Sequence, residues 1–214
     1  MARLRLGVLI SGRGSNMAAL LAACAEPDFP AEIVLVLANR ADAGGLAIAA
    51  KHGVATAVVP HRDHPSREEF EREVSRRLQE ADVQLVCLAG FMRVLSPWFV
   101  NAWADRVINI HPSLLPAFPG LDVHARAIAA GVRVSGCTVH VVRAGVDDGP
   151  ILAQAVVPVM DDDTPDGLAA RILEMEHRLY PRAVRLIAEG RVTIEGDRAR
   201  ITGVMPPPER LLSP

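Results

Sequence analysis

The sequence predicts an α/β fold: a doubly wound, mostly parallel sheet with helices on both faces and an antiparallel hairpin near the C-terminal end. Short apolar runs without clean polar alternation, such as Leu4 to Ile10 and Gln84 to Leu88, suit strands that are covered on both sides. These runs alternate with stretches of helical spacing, the order that builds a parallel sheet. A glycine-rich turn also joins the first strand directly to a helix, as open α/β sheets require.

Taken in order, Leu4 to Ile10 ends in SGRGSN and leads into a helix over Met17 to Ala25. Ile33 to Ala38 forms a second strand, followed by a helix near Gly45 to His52 and a third strand at Thr56 to Val59. Ser66-Arg67-Glu68-Glu69 has capping-box spacing and opens a helix whose Phe70, Val74 and Leu78 fall four apart, on one face. Gln84 to Leu88 and Val107 to His111 are further strands, and Thr138 to Val142 and Ile151 to Val157 later ones, joined by the loop RAGVDDGP. Thr164 and Pro165 read as the N-cap and first residue of a long helix to about Ala188. Glu195-Gly196-Asp197-Arg198 makes the turn of a terminal hairpin. With no internal repeat and no linker, residues 1–214 are expected to form a single domain.

Composition removes several functions. A chain that is 50% hydrophobic and 22% charged with a formal net charge of -2 offers neither a disordered tail nor a polyanion-binding surface, so nucleic acid is not an expected partner. Cys24, Cys87 and Cys137 are odd in number, dispersed and at no metal-ligand spacing, which points to reduced, buried thiols in a cytoplasmic protein. His61 and His64 have no third ligand in view, so no metal is expected. The first apolar run is too short for a secretory signal, and no segment approaches the roughly 18 apolar residues of a membrane span. Lys51 is the only lysine and lies outside the glycine loop, which excludes a Walker-type phosphate loop and argues against Schiff-base chemistry.

Two places carry chemistry. Gly12-Arg13-Gly14-Ser15-Asn16 lies where a strand meets a helix N-terminus, so its backbone N–H groups suit an anion, with glycine at position 14 expected to let a phosphate approach. The same spacing imitates a dinucleotide fingerprint, but Met17 replaces the third glycine and Asn39-Arg40 stands where an acidic ribose ligand belongs. A phosphate site, a plain turn and an NADP-binding reductase all remain open at this point. Asn109 and His111, two apart, share one face at the C-terminal end of a strand, where active sites of open sheets collect. Pro112, Pro116 and Pro119 behind them restrict the loop's freedom. Asp147 and Asp148 precede Gly149-Pro150 in a loop that either brings a carboxylate to His111 or is a plain turn favouring Asp and Gly, and His140 is either pocket wall or core.

Four stretches in sequence order, LISGRGSN, LAGFMRVLSP at Leu88 to Pro97, INIHPSLLPAFPG at Ile108 to Gly120 and VDDGPIL at Val146 to Leu152, resemble the phosphoribosylglycinamide formyltransferases, folate-dependent formyltransferases of purine synthesis. The Asn-x-His-Pro-Ser-x-Leu-Pro pattern with a later Asp-x-Gly-Pro carries most of this likeness. The resemblance implies a Rossmann-like sheet, 10-formyltetrahydrofolate as cosubstrate, and transfer of its formyl group to the amine of glycinamide ribonucleotide. It assigns the ribonucleotide's phosphate to Gly14, Ser15 and Asn16, further ribonucleotide contacts to Glu176, and catalysis to Asn109, His111 and Asp147. The folate slit would be lined by Met92, Arg93, Val94, Leu95 and Asn109, with Arg67 near the folate's carboxylate tail. Asp148 stands where many relatives have glycine. Partners are then two small molecules, for a monomer or homodimer. A formyltetrahydrofolate hydrolase is the nearest alternative, in which water replaces the amine; such relatives carry a regulatory domain ahead of the catalytic one. A methionyl-tRNA formyltransferase would add a large basic C-terminal domain.

Overall fold

The computed structural model describes residues 2–203, so the last part of the expected domain, residues 204–214, lies outside it. Five parallel strands, β1 (Leu4–Ile10), β2 (Ala31–Ala38), β3 (Thr56–Val58), β4 (Leu85–Leu88) and β5 (Val107–His111), are joined by two antiparallel ones, β6 (Val134–Val141) and β7 (Ile151–Pro158). They form one sheet in the order β3-β2-β1-β4-β5-β6-β7. The chain winds outward from β1 to β3, then crosses back to β4 on the other side of β1. The winding direction therefore reverses between β1 and β4, and a crevice opens beyond their C-terminal ends. A separate hairpin pairs β8 (Val192–Glu195) with β9 (Arg198–Ile201), as its turn sequence predicts.

Among the described residues six α-helices, α1 (Ser15–Ala25), α2 (Gly45–Lys51), α3 (Arg67–Glu80), α4 (Pro97–Ala102), α5 (Val123–Ala129) and α6 (Pro165–Ala188), cover the large sheet. Two cores result, one per face, which is why the strands are apolar on both sides. In one, Met17 and Leu20 of α1 and Ile172 and Tyr180 of α6 pack on Val8, Ile108, Ile110 and Val139. In the other, Phe70, Val74 and Leu78 of α3, Phe99 of α4 and Trp103 just after it pack on Leu9, Leu37, Val86 and Val107. The predicted caps close as expected: Ser66 Oγ accepts the Glu69 N–H at 3.2 Å and Thr164 Oγ1 the Gly167 N–H at 3.1 Å. Tyr180 donates its buried hydroxyl to the Leu88 and Ile108 carbonyls at 3.0 and 3.2 Å, tying α6 to the ends of β4 and β5.

Two features depart from the sequence expectations. β6 begins at Val134, four residues before the expected Thr138, because Ser135 and Gly136 read as strand breakers. Gly136 is instead required inside the strand, since a Cβ there would lie 1.8 Å from the Ala155 carbonyl oxygen of β7. Helices α4 and α5 are too short to show a helical period, although Ser96-Pro97 carries the same cap signal as Thr164-Pro165. As expected, α6 runs to Ala188, continuing through Pro181 despite the lost N–H and held by Leu179, Tyr180, Ala183 and Val184 in the core. Among the described residues no helix is long and apolar enough to cross a membrane.

Candidate active site

The loop after β1 and the loop after β4 enclose a cavity of about 280 Å³ lined by residues 11–16, Ala89, Gly90 and Met92, at the reversal point of the sheet. Ser11 ties the two loops together, donating its N–H to the Gly90 carbonyl at 3.1 Å and accepting the Met92 N–H on Oγ at 2.9 Å. Gly14 caps α1 with φ 76° and ψ 28° and offers no side-chain acceptor. The first N–H groups of α1, at Ser15, Asn16 and Met17, therefore keep the positive end of the helix available to an anion. The structure adds a second reason for glycine at position 14. Its φ lies in the left-handed region, and a Cβ would stand 2.8 Å from Gly45 Cα, so the turn and the approach of α2 demand it.

Asn16, which lines the same cavity, donates from Nδ2 to Glu176 Oε2 at 2.7 Å, across 160 positions of sequence. Burial pushes the Glu176 carboxyl above the usual carboxylate range, against the opposing effect of the Asn16 bond. Asn16 Oδ1 is buried with no partner among the described residues, an acceptor next to the cradle.

One strand further along, Asn109 and His111 point to the same face of β5 as Val107, which packs under α3 and α4. Their cross-strand neighbours on β6 are His140 and Thr138. Asp147 meets them from the β6–β7 loop with φ 49°, a conformation that the following Gly149 helps the turn to reach. Its Oδ2 accepts the Gly120 N–H at 2.7 Å and lies 3.3 Å from His111 Nδ1, and its Oδ1 lies 3.5 Å from Asn109 Nδ2. Asp148 is exposed and its Oδ1 accepts the N–H of Gly149 at 2.9 Å, so the loop spends the second carboxylate on its own turn.

His140 belongs to this group as well. Its Nδ1 faces the Val141 carbonyl at 3.1 Å and must donate to it, which leaves Nε2 as an acceptor for Asn109 Nδ2 at 3.3 Å. Burial lowers the His140 pKa, in keeping with this neutral tautomer. The contact orients the Asn109 amide, with Nδ2 toward His140 and Asp147. His111 has an acceptor at each ring nitrogen, Asp147 at Nδ1 and the Phe118 carbonyl at Nε2, 3.1 Å away. A ring that donates from both sides satisfies the pair.

The proline-rich loop is held by more than its prolines. Thr138 Oγ1 donates to the Ser113 carbonyl at 2.7 Å and accepts the Leu115 N–H at 3.0 Å, and Gln154 Nε2 donates to the Leu115 carbonyl at 2.9 Å. Ser113 Oγ donates to the Ala117 carbonyl at 2.7 Å, and Arg126 of α5 reaches the Pro119 carbonyl at 2.5 Å. These bonds set where Phe118 meets His111 and Gly120 meets Asp147.

The residues expected for the folate divide by exposure. Met92 and Val94 project into solvent, Arg93 is half-buried, and Arg67 is exposed at the first position of α3. The Leu95 side chain packs in the α3–α4 core, which leaves its backbone to border a slit. Leu121 and Val146 are also more than half exposed, beside Gly120 and Asp147. Exposed apolar side chains on three loops around Asn109 suit a flat, mostly apolar ligand. Among the described residues no group of three or more His, Cys, Asp or Glu side chains is arranged to hold a metal ion.

A doubly wound sheet with an anion cradle at its reversal point and an amide, an imidazole and a carboxylate on the adjacent strand is the layout of an α/β group-transfer enzyme. The chain belongs to the formyl transferase family, whose profile matches residues 4–184. It is 41% identical to phosphoribosylglycinamide formyltransferase of Escherichia coli (strain K12) over 202 residues, 94% of this chain and 95% of that one. It is 47% identical over 199 residues to the trifunctional purine biosynthetic protein adenosine-3 of Gallus gallus, of which it spans 20%. Among solved structures, glycinamide ribonucleotide transformylase 1 from Symbiobacterium toebii superposes with a TM-score of 0.91 at 51% identity, covering 93% of this chain and 94% of that one. Formyltetrahydrofolate deformylase from Burkholderia mallei follows the same fold at 32% identity and a TM-score of 0.85, covering 94% of this chain and 70% of that one.

Proposed function

We propose that this chain transfers the formyl group of 10-formyltetrahydrofolate to the amine of glycinamide ribonucleotide, a step of purine biosynthesis, in the cytoplasm. The observation that carries this reading is the pairing of two sites at neighbouring strand ends. Leu88 of β4 is in register with Asn109, and two residues further on Gly90 lines the anion cradle. A phosphate held at Gly14, Ser15 and Asn16, with Glu176 beside it, would leave the amine end of the ribonucleotide to reach toward Asn109 and His111. The loop carrying Met92, Arg93 and Val94, bordered by the Leu95 backbone, would receive the pterin side of the folate, with Arg67 for its carboxylate tail. The three buried cysteines are free thiols, in keeping with a reducing compartment.

In this reading the free amine attacks the formyl carbon, the carbonyl pair moves to oxygen, and a tetrahedral centre forms with a negative oxygen and a positive nitrogen. Asn109 supplies the Nδ2 hydrogen that otherwise meets Asp147 only at 3.5 Å, and His111 supplies its Nε2–H, as donors to that oxygen. For His111 the oxyanion takes the place of the Phe118 carbonyl, because a charged acceptor outcompetes a neutral one for the same N–H. Asp147 keeps Nδ1 and so fixes the ring. The nitrogen then loses a proton, the bond to the folate nitrogen breaks, and that nitrogen leaves protonated. Preorganised donors of this kind are worth about 3 kcal/mol each.

A deformylase shares the fold and would use water in place of the amine, but has no need of an anion cradle beside the reacting centre. The deciding experiment follows loss of 10-formyltetrahydrofolate with glycinamide ribonucleotide present and absent. Consumption only in its presence, with formyl appearing on the amine, is the expected result. Equal consumption without it, releasing formate, would assign the chain to the hydrolases.

A further inference from the structure

Glu71 lies in the second turn of α3 and is 1% exposed, a carboxylate inside the α3–α4 core next to Phe70 and Val74. Both of its oxygens are spent on one residue. Oε1 accepts the Ser96 backbone N–H at 2.8 Å, and Oε2 accepts the Ser96 hydroxyl. Ser96 is itself buried and caps α4, accepting the Phe99 N–H on Oγ at 3.3 Å. Taking a carboxylate out of water is costly, and a leucine at this position would pack α3 against α4 without that cost. What the carboxylate provides and a leucine cannot is a fixed register between α3 and the residue that ends the β4–α4 loop.

That loop is clamped at its two ends and free between them. At its start the Ala89 N–H donates to the Leu9 carbonyl at 2.9 Å, and Ser11 holds Gly90 and Met92. At its end stands Ser96, fastened to Glu71. Phe91 and Leu95 are buried, so Met92, Arg93 and Val94 are pushed outward as a short arch. Arg67 lies four residues before Glu71, one turn earlier on the same side of α3. A single buried carboxylate thus sets the spacing between the head of α3 and the arch.

The geometry points to Glu71 as a positioning residue for the formyl-folate: through Ser96 it fixes the Met92–Val94 arch relative to Arg67, so that both ends of the cosubstrate meet preformed walls. The inference rests on the formyl-folate reading above. Neither Glu71 nor Ser96 lines the anion cradle, and Met92, the one residue of the arch that does, is held there by Ser11 rather than by Ser96, so the effect falls on the formyl-folate.

The test is steady-state kinetics of the full chain with both substrates varied. Glu71→Leu keeps the volume and removes both bonds; the KM for formyl-folate should rise roughly tenfold or more, the scale of a lost hydrogen bond to a charged group. The KM for the ribonucleotide should stay within about twofold and kcat within about threefold of wild type. Glu71→Gln, which can still accept the Ser96 N–H, should restore most of the folate KM. If Glu71→Leu does not fold, Ser96→Ala decides, with a rise of the folate KM alone expected. An unchanged folate KM, or a loss shared equally by both substrates, overturns the inference while wild-type transfer leaves the functional reading standing. Absence of formyl transfer by the wild-type chain would instead remove that reading itself, and the inference with it.

Discussion

Burial acts in opposite directions on the titratable side chains around the site. It holds His140, His124 and His177 below the ordinary histidine value of 6.5 and pushes Glu176 above the ordinary carboxylate value of 4.5. As pH falls through the histidine range, the unfolded chain takes up protons that the folded chain refuses, and stability falls. Glu176 works the other way: above its ordinary value the folded chain keeps a proton that the unfolded chain has released, so acidification adds stability. Three histidines face one carboxyl, so the urea midpoint should be lower at about pH 5.5 than at about pH 7.5. Glu176→Gln removes the compensating proton uptake and should make that drop larger; a smaller drop would contradict the assignment of the Glu176 shift. Of these residues the sequence makes only some legible. Asn109 and His111 stand out because a strand's period of two puts them on one face. The choice of Asp147 over Asp148 depends on a left-handed φ at Asp147 and a local bond at Gly149, neither of which is encoded in spacing. The Asn109–His140 and Glu71–Ser96 contacts join residues 31 and 25 positions apart, so neither partner announces the other.

Among elements, β6 is the one on which the site most depends. Thr138 is fully buried and its Oγ1 serves the Ser113 carbonyl, the Leu115 N–H and the Gln154 amide at once. Thr138→Val keeps the shape and strands those loop groups without a partner, which should lower unfolding stability by about 2 kcal/mol or more, read from denaturant midpoints. Turnover should fall with it, because the same loop carries the Phe118 carbonyl and the Gly120 N–H. A variant as stable as wild type would mean that the prolines and the Ser113, Gln154 and Arg126 bonds hold the loop without Thr138. Strands β1, β4 and β5 are legible since an unbroken apolar run has few other homes. The early start of β6 is not, because Gly136 is chosen for contact with a neighbouring strand rather than for turn formation. Helices α4 and α5 escape because six or seven residues hold barely two turns.

At the scale of the molecule, function follows from strand order. Alternation of strands and helices predicts a parallel sheet but leaves open which strands are neighbours, and neighbours decide the site. The reversal between β1 and β4 opens the crevice, and β5 lies next to β4 so that Leu88 and Asn109 are in register. The two antiparallel strands then turn the β6–β7 loop back toward β5, which brings Asp147 within 3.3 Å of His111 across 36 positions of sequence. Composition held no trace of that return. The central claim is that the Asn109 and His111 donors act on the reaction while the cradle at Gly14, Ser15 and Asn16 acts on binding. The most direct measurement compares formyl-transfer turnover with calorimetric affinity for glycinamide ribonucleotide in Asn109→Ala and His111→Ala. Turnover reduced by about a hundredfold or more at an affinity within about twofold of wild type is the predicted result. Wild-type turnover in either variant, or a loss confined to affinity, would contradict it.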